Sequence, residues 1–119
     1  MRKILFLLIF VLSGCSNYKL APIKSNDDFY VLMPEVVDSI VYLDVCEAQS
    51  EKCDLIRTGV SHVHYWGVDW FKESNIIILY SSDIGIYAWA ESDSWNKVEV
   101  TQEMNNYANK IYEELKRQI

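Results

Sequence analysis

The sequence predicts an α+β domain: an antiparallel β-meander of about five to six strands with one C-terminal α-helix packed on one face. Three observations carry this. Short runs rich in β-branched and aromatic residues recur from Phe29 to Val100, the composition of half-buried strands. Polar clusters separate them at 47–52, 72–75, 81–83 and 91–94, a spacing that suits an up-and-down sheet. After Val100 the period changes. Met104, Ala108, Ile111, Leu115 and Ile119 recur three or four apart, which makes one helix stripe.

At the N-terminus, Arg2 and Lys3 precede nine apolar residues, 4–12. That is the length of a signal h-region, whereas a membrane-spanning helix needs about 20 residues. Ser13, Ser16 and Asn17 end the run. Leu12-Ser13-Gly14-Cys15 matches at every position the Leu-(Ala/Ser)-(Gly/Ala)-Cys box of bacterial lipoproteins, which this stretch resembles. The resemblance covers the first 15 residues. It implies removal of 1–14 as a signal peptide, thioether diacylation of Cys15 and usually acylation of the new amine, commonly with palmitate. One acyl chain binds membranes reversibly, and two or more anchor stably. Ser16 rather than Asp follows the cysteine. In a Gram-negative host the family's sorting rule then implies the outer membrane, facing the periplasm.

With Cys15 lipidated, Cys46 and Cys53 remain as an even pair. An exported chain meets an oxidising compartment, so a disulfide between them is expected. Two free thiols or a metal pair are the alternatives. Six residues between two cysteines, without a second cysteine pair, is poor zinc-site spacing.

Residues 15–28 are polar, contain Pro22 and show no period. They read as the lipidated N-terminus and a flexible tether spanning about 20 Å; the alternative is that Tyr18, Leu20 and Ile23 dock on the domain. The globular domain is then 29–119. Phe29 to Met33 is a short apolar run stopped by Pro34, suited to an edge strand. Residues 39–46 and 53–58 form a hairpin across the loop 47–52. With Cys46 opposite Cys53, Leu43 faces Ile56, Val41 faces Thr58 and Val45 faces Asp54 on a mostly apolar side. Asp44 then faces Leu55 and Tyr42 faces Arg57 on a mixed side that also carries the disulfide. Gly59 permits a turn. Residues 60–71 read as one long strand with His62, His64, Trp66 and Trp70 on one side. Ile76 to Tyr80 suits a central strand buried on both faces. Residues 84–90 and 95–100 are further strands. Thr101 is the N-cap of a helix over 102–117, with Glu113 and Arg117 as an i,i+4 pair.

Cleavage before Cys15 removes two of the 11 basic residues and none of the 17 acidic ones. The mature chain therefore has nine basic against 17 acidic side chains, a formal charge of −8. This disfavours nucleic acid and anionic lipid surfaces as electrostatic partners. It suits solubility, or a basic protein partner. There is no phosphate loop, Cys-x-x-Cys, dinucleotide fingerprint or Gly-x-Ser-x-Gly elbow, so no catalytic residue, metal or cofactor is assigned. On a strand, His62 and His64 would lie about 7 Å apart, but Val60 and Trp66 supply no third ligand. The helix covers only one face of the sheet, so some aromatics must be exposed, or covered by a partner or the tether. Trp66, Trp70 and Trp89 are the candidate partner-binding residues. The expected function is a non-catalytic, protein-binding lipoprotein of the envelope, of inhibitor or immunity type against an exported toxin or lytic enzyme. The alternative is an accessory lipoprotein of an envelope assembly or secretion machine.

Overall fold

The structure, a computed structural model, describes residues 17–72 and 74–117. The expected signal peptide, 1–14, and the expected lipidation site Cys15 lie outside the described residues. In chain order the elements are β1 (Tyr18–Lys19), β2 (Ile23–Lys24), β3 (Tyr30–Val37), β4 (Ile40–Glu47), β5 (Cys53–Ser61), β6 (Trp66–Trp70), β7 (Ile76–Ser81), β8 (Gly85–Ser92), β9 (Ser94–Val98) and α1 (Gln102–Arg117). The class is α+β. The single meander of five to six strands is corrected: the strands divide into two antiparallel sheets. One has the order β1-β3-β4-β5 with β2 also on β3, and the other is β6-β7-β8-β9.

The division falls inside the stretch expected as one long strand. β5 ends at Ser61 and the chain turns over 62–65 before β6 begins. His62 N–H donates to the Ser39 carbonyl at 2.7 Å, still on the first sheet. Ser82 N–H donates to the Tyr65 carbonyl at 2.9 Å, already on the second. Gly59 is not a turn but a kink within β5, at φ +76°, where the β4–β5 register shifts between Ile40 and Tyr42. Thr58 Oγ1 spans that shift, donating to the Val41 carbonyl at 2.6 Å and accepting from Val60 N–H at 3.0 Å.

The rest of the hairpin keeps the expected register. Tyr42 pairs with Arg57, Leu43 with Ile56, Asp44 with Leu55, Val45 with Asp54 and Cys46 with Cys53. The Cys46–Cys53 disulfide is present on the face turned away from the core. Pro34 does not stop β3 but sits inside it. Its carbonyl accepts Leu20 N–H at 2.8 Å. Carbonyl and nitrogen of a strand residue point to the same side, so the absent N–H faces the gap between β1 and β2, where no ladder bond is lost. β1 and β2 therefore place part of the stretch expected as tether along β3.

Two cores result. Leu32, Val36, Val41, Leu43, Val45, Ile56 and Val60 from the first sheet meet Trp70, Ile77, Leu79 and Trp89 from the second. On the far side of the second sheet, Phe71, Ile78 and Ala88 meet Met104 and Ala108 of α1, flanked by Tyr107 and Ile111. β7 lies between the two layers, and Ile77, Ile78 and Leu79 are fully buried, as its continuous apolar run requires. Thr101 caps α1 through its Oγ1, which accepts Met104 N–H at 3.2 Å. Glu113 pairs with Lys116 at 3.7 Å rather than with Arg117.

Candidate functional site

Of the three candidate partner-binding tryptophans, two are covered by the first sheet. Trp70 is 2% exposed and Trp89 4%; both lie between the sheets and offer no surface to a partner. Trp66 is half-buried against the same core. Its Nε1–H donates to His62 Nδ1 at 3.3 Å. Trp70 stacks on Tyr30 at 6.1 Å and meets Trp95 edge-on at 5.8 Å. Its Nε1–H donates to the Ile23 carbonyl of β2 at 3.0 Å, so the bulkiest core side chain has its one polar atom satisfied.

His62 and His64 sit on the 62–65 turn, not side by side on a strand. His64 Nε2 lies 3.7 Å from Asp83 Oδ2, both groups nearly half exposed. Ser81 Oγ accepts Asp83 N–H and Ile84 N–H, which occupies it in its own turn.

The most concentrated chemistry lies at one end of the sandwich. The end of β4 supplies Glu47, the start of β5 supplies Asp54 and the end of β8 supplies Glu91. With Lys52, Val45, Tyr30 and Trp95 they line a notch of about 10 Å³. Tyr30 is only 8% exposed. No side-chain nitrogen or oxygen among the described residues, its hydroxyl included, is buried without a hydrogen-bond partner. Burial, then the charges of Glu91 and Glu47, hold that hydroxyl above the usual tyrosine range. Lys52 makes no ion pair with the three carboxylates among the described residues. A phenol oxygen and three carboxylates form an acceptor-rich mouth over the Tyr30–Trp95 edge-to-face pair at 5.1 Å. Its size admits about one water, far below the several hundred Å³ of a small-molecule site. It suits the tip of a cationic side chain presented from outside. Glu47 and Asp54 are neighbours on the β4–β5 hairpin, but no spacing rule adds Glu91, which joins them only when the two sheets stack.

A second feature is a groove of about 410 Å³ between β6 and α1. It is lined by Gly67, Val68, Asp69, Tyr107, Lys110, Ile111 and Glu114. Asp69 holds it together: Oδ1 accepts Trp70 N–H at 2.7 Å and Oδ2 accepts the Tyr107 hydroxyl at 3.0 Å. Burial first, and then the Asp69 bond, push the Tyr107 hydroxyl up to about 12. The folded chain thus keeps a proton that the unfolded chain loses near the ordinary value of 10.0. This contribution to stability is complete below about pH 10 and disappears as pH rises towards about 12. Denaturant midpoints measured across that window should fall more steeply for wild type than for Tyr107→Phe. Parallel curves would exclude the linkage.

Comparison of the chain with protein-family models, with curated proteins and with solved structures finds no match.

Proposed function

We propose that this chain is a lipid-anchored, non-catalytic protein-binding module of the cell envelope, of inhibitor or immunity type. Its partner presents a basic side chain to the notch of Glu47, Asp54 and Glu91. One observation carries the reading: Glu47, Asp54 and Glu91 line one notch with Tyr30 and Trp95. Carboxylate and phenol oxygens accept, and a guanidinium supplies five donors and a charge. The formal charge of −8 on the mature chain would steer such a partner at low salt. The lipoprotein box at Leu12–Cys15 supports the anchor, and palmitate labelling lost in Cys15→Ser checks it.

Trp95 lines the notch, so its indole resonance reports occupancy. Titration with hexa-arginine should shift that resonance saturably, and hexa-glutamate should not. The double variant Asp54→Asn/Glu91→Gln should bind hexa-arginine about tenfold more weakly, as the loss of two charge-assisted contacts implies. An unchanged titration in the variant would sink the reading.

A further inference from the structure

β6 is the outer strand of the second sheet, and among the described residues no strand lies beyond it. Its register with β7 decides which backbone groups are already used. Phe71 N–H bonds the Ile76 carbonyl at 2.8 Å and Ser82 N–H bonds the Tyr65 carbonyl at 2.9 Å. Residues 65, 67, 69 and 71 therefore direct their backbone groups at β7, and Trp66, Val68 and Trp70 direct theirs outward. Asp69 takes the Trp70 N–H. Trp66 and Val68 keep both N–H and C=O facing the open edge, beside the groove under α1.

We propose that a second copy of this chain docks here, with the two β6 strands antiparallel about a two-fold axis at Gly67. Trp66 of one copy then lies opposite Val68 of the other, and each such pair exchanges both hydrogen bonds. The two Gly67 residues face each other at the closer, non-bonded spacing, where the absence of a side chain suits the approach. The Asp69 cap on Trp70 N–H ends the pairing. α1 packs equally on β6 and β7 and only marginally on β8. The helix therefore covers the face of β6 beside the open edge. With paired strands about 4.8 Å apart, the two-fold brings the two helices side by side on the same face. The groove then closes around Ile111 of both copies.

Charge selects the occupant. Lys110 and Glu114 both line the groove one turn apart on α1, and neither makes an ion pair among the described residues. Lys110 lies 5.9 Å from the Tyr107 ring centroid. Antiparallel helices set Lys110 of each copy against Glu114 of the other. A two-fold interface requires this self-complementarity, and an unrelated strand would not supply it.

Sedimentation equilibrium of the full chain in excess detergent micelles tests this with four proteins. Wild type should be a dimer. Lys110→Glu should weaken it by about tenfold, since two attractive pairs become repulsive. The exchange Lys110→Glu/Glu114→Lys should restore it, which a merely structural role would not do. Val68→Pro removes an outward N–H without breaking a β6–β7 bond, and should weaken the dimer as well. A wild-type monomer at the highest concentration reached, or a dimer indifferent to the charge exchange, overturns the proposal.

Discussion

Replacing Trp70 with alanine should lower stability by about 4 kcal/mol, in the range for deleting a buried aromatic. The side chain is 2% exposed and fills the space between Tyr30, Trp95 and the inner faces of both sheets. A domain of this size has only about 5–15 kcal/mol in total, so the variant should populate unfolded chain at growth temperature. Trp70→Phe separates packing from polarity. It keeps most of the ring volume but leaves the Ile23 carbonyl without the indole N–H it accepts at 3.0 Å. That loss should cost about 1–2 kcal/mol. It should also appear locally, as faster hydrogen exchange at the β2–β3 pairing than at β4–β5. Uniform acceleration across both would mean that β2 is not held by this bond.

Cys46→Ser/Cys53→Ser should cost about 2.5 kcal/mol by the chain-entropy account of a short loop. For a domain of about 100 residues that is a fall of roughly 10–20 °C in melting temperature. The bridge joins directly opposed residues at the loop end of the β4–β5 hairpin. Glu47, Lys52 and Asp54 flank it and form one wall of the notch. The serine variant should therefore bind hexa-arginine more weakly at temperatures where it remains folded. An unchanged melting temperature would show that β4–β5 pairing needs no bridge.

The β4–β5 hairpin was legible because its two faces differ. Only one register puts Leu43, Val45 and Ile56 together while bringing the two sulfurs onto the same side. The helix was legible from its stripe, of which Met104, Ala108 and Ile111 pack on the second sheet; Ile119 lies outside the described residues. The two-sheet architecture was not. His62-Val63-His64-Tyr65 continues the alternation of β5 into β6 and contains no glycine or proline, so nothing local marks the corner. The β3–β4 connection was hidden for a similar reason. Asp38 and Ser39 both adopt positive φ, 52° and 69°, the geometry of a two-residue hairpin turn that usually advertises itself through glycine or asparagine. Once two sheets were taken for one, the tryptophans had to look partly exposed. Their true cover is β3, β4 and β5, and the acidic notch exists only where those strands meet β8.

The hold of β1 on β3 changes what a lipid on Cys15, as proposed above, would do. Asn17 Oδ1 accepts Asp38 N–H at 2.9 Å, and β1 starts at the next residue. Three Cα steps therefore separate the acylated residue from the folded sheet, at most about 10 Å of chain. So short a leash sets the attitude of the domain rather than its reach. Every copy would stand with the same edge towards the bilayer, free chiefly to spin about the membrane normal. Two copies meeting in that plane would have one rotation left to search, and a two-fold axis along the normal is the symmetry such a search can find.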